Sequence, residues 1–317
     1  MPRLLKIALL VLCLIAAAPL VLLCGAALFN GRTGAPTDFA ESAALREPPP
    51  AAPAPVTLRV VTFNIQDLYL RSQDRPRRMK AIAAKLYTLD PDIVGFQEAF
   101  IAADREILMR ELAPSRLKYF EYYPSGTVGS GLLIASAFPI QEAWFHRFTA
   151  SNPFYKVWEG DWWAGKGVAL ARIALPEGGL IDFYNTHAQA GYGNPAYDAV
   201  RAQQMRELAD FMNASRCPTA PALLAGDMNC RPGDPEFEIA VSGAGLARVM
   251  IGESRIDHLF AAESDAYTVE VESTEPIEAA VRLGDTVLEL SDHTGYMSTL
   301  IIRPRGEAAD AVAPGAG

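Results

Sequence analysis

The chain has 317 residues, half of them hydrophobic, and 28 basic against 37 acidic side chains leave a formal charge of −9. That length is enough to bury one large core or two smaller ones. Proteins that grip a long phosphate backbone usually carry a basic surface, so the acidic balance places nucleic acid below other partners.

The N-terminus stands apart. "MPRLLK" is a short cationic start, and residues 7–29 follow without a single charge. At about 1.5 Å per residue such a helix spans a hydrocarbon core of roughly 30 Å. The expectation is a single-pass transmembrane anchor over 1–30, with a cleaved signal peptide as the alternative. Arg3 and Lys6 then stay cytoplasmic and the remainder of the chain lies outside, periplasmic or extracellular, or secreted after cleavage. Leu23 is too large for the residue before a lipidated Cys24. Of the remaining cysteines, Cys217 and Cys230 lack metal-ligand spacing, and a disulfide between them is allowed but not demanded.

Residues 31–57, with "EPPPAAPAPV", read as an Ala/Pro-rich linker. From Leu58 the texture changes to short apolar runs alternating with amphipathic helices. The expected elements are a strand at 58–64, a helix at 75–88, a strand at 92–97 and a helix at 101–112. The first helix carries Met79, Ile82, Leu86 and Leu89 on one face, with Asp74 as its cap and Pro76 in its first turn. Several strands fall between about 117 and 187. A helix at 196–214 follows Asn194-Pro195, then a strand at 222–228, a short helix near 235–243, and strands near 255–261 and 295–303. Hairpin-dense strands with a few helices predict two packed sheets with helices outside, in one domain over 58–303. The tail, 304–317, is expected to be disordered.

What each strand ends with is informative. "LRVVTFN" ends at Asn64, "DIVGFQE" at Glu98, "IDFYNTH" at His187 and "ALLAGDMN" at Asp227 and Asn229. "RID" places Asp257 at the start of a strand, and "LSDH" places Asp292 and His293 just before another. Singly, each is an ordinary turn or rim residue. Together they are four carboxylates, two carboxamides and two imidazoles. Packed side by side, that is too much polarity to bury without an ion to organise it.

This set suits metal-assisted cleavage of a phosphate ester. A hard cation such as Mg²⁺, with Mn²⁺ or Co²⁺ as substitutes, takes carboxylate and amide oxygens, which Glu98, Asn64 and Asp292 offer. An imidazole oriented by a carboxylate is a general base for water, a role that fits His293 with Asp257. His187 and the Asn229 amide can donate to phosphoryl oxygens as charge builds, and Asp227 would hold the nucleophilic water or the metal shell. His146 and His258 read as structural, the former without an evident acidic partner.

The series Asn64, "QE" at 97–98, "TH" at 186–187, "GDMN" at 226–229, "RID" at 255–257 and "SDH" at 291–293 resembles the endonuclease/exonuclease/phosphatase superfamily across nearly all of 58–303. The resemblance implies a four-layer α/β/β/α sandwich and a divalent-metal phosphoesterase. The chain departs from many nucleases of that group at Gln66, where an acidic residue is usual, with Asp67 one step further on. "THAQA" at 186–190 resembles the segment around the catalytic histidine of neutral and bacterial sphingomyelinases. In "DWWAGKGVALARI" (161–173), Asp161 and Lys166 have the spacing of the neutral sphingomyelinase pair that acts as a loop switch. That implies a Lys166 able to bind phosphate or to pair with Asp161.

All four tryptophans lie between 144 and 163, among further aromatics. This density suits a loop inserted at a lipid–water interface, or else a small second core under a long loop. The expected protein is thus a monomeric Mg²⁺-dependent phosphodiesterase of sphingomyelinase type, acting on a phospholipid in a membrane. The rival readings are an extracytoplasmic nuclease, an inositol-lipid phosphatase and, outside enzymes, a membrane-tethered scaffold.

Overall fold

Alternation along the first strand sets the architecture. In Val56–Asp67, Leu58 and Val60 face one core while Val61, Phe63 and Ile65 face another, so both surfaces of this strand are covered. The computed structural model describes residues 3–31, 39–70, 72–176 and 178–305. In chain order the strands are β1 (Val56–Asp67), β2 (Ile93–Ala99), β3 (Tyr119–Tyr122), β4 (Leu133–Ser136), β5 (Ile140–Arg147), β6 (Gly167–Ala174), β7 (Leu180–His187), β8 (Ala222–Asp227), β9 (Leu246–Arg248), β10 (Asp257–Ala262), β11 (Tyr267–Ile277), β12 (Ala280–Leu283), β13 (Thr286–Glu289) and β14 (Gly295–Pro304). The helices are α1 (Arg3–Gly31), α2 (Ala43–Arg46), α3 (Arg75–Leu89), α4 (Ala102–Leu112), α5 (Asp161–Ala164), α6 (Ala196–Ser215) and α7 (Pro235–Ala244).

One six-stranded sheet runs β11-β14-β1-β2-β4-β3 and the other β5-β6-β7-β8-β10-β9, while β12 and β13 form a separate hairpin. Both large sheets are mixed: β1 and β2 are parallel, as are β7 and β8, and the other pairs are antiparallel. Three apolar layers hold the fold. Leu58, Ile93 and Leu300 pack against Ile181, Phe183 and Leu223 between the sheets. Met79, Ile82, Leu86 and Leu108 cover the outer face of the first sheet, and Met205, Leu208, Met212 and Phe237 that of the second. The layers run helices, sheet, sheet, helices, as the strand and helix pattern predicts.

Several expectations need correction. The helix α1 contains Pro19, and among the described residues no helix is long and apolar enough to cross a membrane. This overturns the anchor and the extracytoplasmic placement that rested on it. Asn30, near the end of α1, is buried: its Nδ2 donates to Trp162 O at 2.9 Å and its carbonyl accepts from Arg147 Nη1 at 2.6 Å. Part of the stretch read as linker also packs on the second sheet. The Phe39 ring lies 5.4 Å from Phe211 and 5.6 Å from Trp144, and Ser42 Oγ bonds Glu142 at 2.7 Å. Asp74 does precede α3, but its side chain makes no capping bond. The tail from 306 lies outside the described residues. The strands between 267 and 289 were not expected. β11 is an edge strand, half exposed and rich in Thr and Glu, and such strands show little apolar period.

Candidate active site

Every strand end singled out in the sequence comes to one end of the sandwich. Register explains part of this: His187 on β7 lies beside Asp227 on β8, which lies beside Asp257 on β10. Asp227 is the hub, since its Oδ2 accepts from Asn64 Nδ2 at 2.9 Å and lies 3.4 Å from His187 Nε2 and 3.8 Å from His293 Nε2. The first sheet thus supplies Asn64, Glu98 and the loop of His293, and the second supplies His187, Asp227 and Asp257.

Glu98 arrives by a route that alternation does not give. Val94 and Phe96 face the helices, and strict alternation would send Glu98 the same way. Its φ of 56° interrupts the alternation within the strand and turns the side chain to Asn64, whose Nδ2 donates to Glu98 Oε1 at 3.2 Å. Gln66, Tyr192 and Asn229 are also left-handed, with φ of 48°, 46° and 52°. Such non-glycine conformations are costly; of the six among the described residues these four belong to the site region, and Asp74 and Asp90 flank α3.

His293 Nδ1 lies 2.9 Å from Asp257 Oδ2. Burial alone would lower the imidazole, but the bond to Asp257 and the charges of Asp227, Asp257 and Asp292 outweigh it and push it up to about 10. Asp257 itself is raised to about 6 by burial and the Asp227 charge. The loop is pinned to the end of β1: Ser291 Oγ donates to Asn64 O at 2.6 Å and accepts from His293 N at 3.1 Å. Arg78 adds two ties, to Ile65 O at 2.6 Å and Leu290 O at 3.0 Å. Sequence reasoning passed over Arg78; nothing marks a helical arginine as buried until its carbonyl partners are placed.

His187 is buried, and burial together with the charges of Lys166 and His293 holds it well below the usual imidazole range. Its Nε2 is 2.9 Å from Lys166 Nζ, which also donates to Ala188 O at 2.7 Å and pairs with Asp161 at 2.5 Å. In this arrangement the neutral imidazole accepts at Nε2. Gln189 backs the pair: its Nε2 donates to Asp161 Oδ2 at 2.7 Å, and its Oε1 accepts from Asn152 N at 3.0 Å. Asn229 Nδ2 donates to Ala188 O at 3.2 Å. Asp292 is the exposed member, with its Oδ1 3.9 Å from His293 Nε2.

The residues fit a hard divalent cation. Glu98 Oε2 is buried with no hydrogen-bond partner, and burial pushes this carboxyl up to about 7. Ligand atoms of Glu98, His187 and Asp227 lie within 4.8 Å of one another, as do those of Asp227, Asp257 and His293. An orphaned carboxylate oxygen in such a cluster is what a cation satisfies. Asn64 is placed differently from the expectation: its Oδ1 accepts from Gln66 N at 3.0 Å and its nitrogen faces the carboxylates. Asp67 turns away altogether, into a buried pocket where it accepts from Ile101 N at 3.0 Å.

One other reading is revised: His146 has an acidic partner, Glu207 at 3.1 Å, and stacks on Phe211. His258, read as structural, is buried beside Phe237 and contacts Cys230 O at 3.0 Å. Cys217 and Cys230 are both free and buried. The aromatic stretch divides: Trp144 packs on Phe39, and Phe148 is buried, while Tyr155, Val157 and Trp158 stand exposed at 56%, 50% and 72%.

The fold is similar to that of solved proteins. Beta toxin from Staphylococcus aureus superposes with a TM-score of 0.62 at 19% identity, covering 76% of this chain and 99% of that one. By sequence, the chain is 29% identical over 279 residues to a putative neutral sphingomyelinase of Drosophila melanogaster, covering 79% of this chain and 62% of that protein. It is 35% identical over 187 residues to an inositol phosphosphingolipids phospholipase C of Schizosaccharomyces pombe, covering 58% of this chain and 44% of that protein. The chain therefore spans less than two thirds of the length of either relative. The model of the endonuclease/exonuclease/phosphatase family matches residues 61–293, almost the whole of the two-sheet domain and every strand end that meets at Asp227, and the chain belongs to that family.

Proposed function

We propose that this protein is a divalent-metal-dependent phosphodiesterase of sphingomyelinase type, which releases a phosphorylated headgroup from a sphingolipid. The observation that carries the reading is the His293–Asp257 pair set beside the Glu98–Asp227 cluster. The names of the sphingolipid-acting relatives support it. Glu98, with Asn64 and Asp292 nearby, would hold the cation, magnesium being the first choice. When bound, a hard cation supplies positive charge that stabilises phosphoryl oxygens and the leaving alkoxide and offsets the surrounding carboxylates.

His293 takes the proton from water, and Asp257 fixes its ring and stabilises the imidazolium that forms. Lys166 turns from Asp161 to the phosphate, Asn229 donates to a second phosphoryl oxygen, and His187 donates to a third once its Nε2, no longer accepting from Lys166, carries the ring proton. Tyr155, Val157 and Trp158 stand exposed in the segment that leads into Asp161, the partner of Lys166, and suit a lipid surface.

The test is hydrolysis of vesicles containing sphingomyelin, phosphatidylcholine and phosphoinositides by the full chain, with Mg²⁺ or with EDTA, followed by mass spectrometry. Ceramide and phosphocholine, or ceramide with another headgroup phosphate, are expected with metal and not with EDTA. Nicking of supercoiled DNA without lipid products would instead make the protein a nuclease. For this segment, Trp158→Ala should weaken vesicle binding about tenfold, the worth of one large apolar side chain, at an unchanged melting temperature. Undiminished vesicle co-sedimentation of the variant would remove the segment from the reading.

A further inference from the structure

Asp161 is 4% exposed; burial raises its carboxyl and the charge of Lys166 holds it down. When Lys166 turns to a phosphate, this carboxylate stays behind without its counter-charge, and a buried charge in that state pulls its partner back. This step rests on the phosphodiesterase reading. The groups left around Asp161 then decide how readily the lysine can leave.

The segment after β7 supplies them. Gln189 Nε2 donates to Asp161 Oδ2 at 2.7 Å, Ala190 adds a backbone bond, and the Tyr192 phenol reaches the same carboxylate. Tyr192 differs from the other two. Its hydroxyl has one hydrogen to give and two acceptors within reach, the Asp161 carboxylate and Glu159 O. With Lys166 on Asp161, it donates to Glu159 O. With Lys166 gone, the bare carboxylate is the stronger acceptor, and rotation about the C–O bond carries the hydrogen across. We propose that Tyr192 is a positioning residue whose hydroxyl takes over Asp161 when Lys166 turns to the phosphate. No proton is transferred: the phenol stays neutral and the carboxylate stays ionised.

The backbone is bent to this placement. Tyr192 sits between Gly191 and Gly193 at a φ of 46°, a left-handed conformation costly for a bulky side chain. The ring is 44% exposed and meets Tyr197 edge-on at 6.3 Å, so burial of the ring does not account for that cost. Its hydroxyl end, by contrast, meets Glu159 and Asp161, and the charge of Glu98 reaches it from the metal cluster.

Tyr192→Phe keeps the ring and removes the donor, so the melting temperature should not change. Titration of the full chain with inorganic phosphate in Mg²⁺ should show affinity about tenfold weaker, the worth of one hydrogen bond to a charged group. In an Asp161→Asn background the lysine leaves no charge behind, and the same substitution should cost less than about twofold. A residue that only supports its loop would give equal losses in the two backgrounds. An unchanged affinity, or equal losses, would overturn the proposal. Hydrolysis of vesicles containing sphingomyelin, phosphatidylcholine and phosphoinositides separates it from the underlying reading. The expected phosphate pattern with no lipid hydrolysed leaves Tyr192 in its role and removes the phosphodiesterase; hydrolysis with wild-type kcat/KM in Tyr192→Phe does the reverse. For a wild type that hydrolyses lipid without holding free phosphate, kcat/KM in the two backgrounds gives the same comparison. A wild type that does neither overturns both.

Discussion

His293→Ala is expected to lower phosphodiester turnover by about 10²–10⁴-fold while leaving the fold intact. The ring makes its close side-chain contact with Asp257 at 2.9 Å and is partly exposed, so its loss opens no large apolar cavity. Neighbouring carboxylates raise this imidazole, and a bound cation that offsets their charge would bring it back into the range where it accepts a proton from water. The effect should therefore fall on kcat, with KM little changed. His258→Ala is the control: it removes a buried ring packed on Phe237, so it should lower the melting temperature and spare the turnover of whatever protein remains folded. Wild-type turnover by the His293 variant would exclude it as the base.

The largest expected loss of stability is far from the chemistry. Arg172 is 1% exposed, in the middle of β6, and its guanidinium bonds Asp182 at 2.7 Å, Glu142 at 2.6 Å, Ser42 at 2.7 Å and Ser215 O at 2.6 Å. Arg172→Met leaves Asp182, which is fully buried, without its counter-charge, a change that typically costs about 3–5 kcal/mol. In a chain of this length that lowers the melting temperature on the order of 10 °C. The double variant Arg172→Met, Asp182→Leu should recover part of the loss, because no buried charge is then left unpaired. A single variant that melts with the wild type would mean that the network contributes nothing net. Since Ser42 belongs to the same network, the single variant should also free residues 39–46 from the sheet, measurable as faster amide exchange there.

The two-sheet architecture and most strand ends were legible because buried strands and amphipathic helices obey strong periods. His187 and Asp227 follow the inward phase of Phe183 and Leu223, and their meeting needs only that β7 and β8 pair. Glu98 is in phase with Val94 and Phe96, but that phase points it at the helices, and only its left-handed backbone returns it to the site. The apolar segment at 7–29 carried a local pattern, and that pattern did not translate into a spanning helix among the described residues. β11 escaped because an edge strand with polar residues on both faces carries no such pattern. His146 looked unpartnered because Glu207 lies 61 residues away, on a helix whose docking no local rule foretells.

The division of the site between two sheets bears on how the molecule acquires activity. The sheets approach closely at Gly95, where an added Cβ would sit 3.0 Å from Ala225, and Gln97 Nε2 crosses between them to Asn185 Oδ1 at 2.7 Å. Asn64 and Glu98 are on one side of that seam, His187 and Asp227 on the other. Neither half-sandwich, however well formed, contains the proposed base, cation ligands and phosphate donors together. The seam joins segments about ninety residues apart in the chain, so its closure is a late, long-range event in folding. The proposed activity would thus be a property of the seam and would report on whether the two layers have met in register.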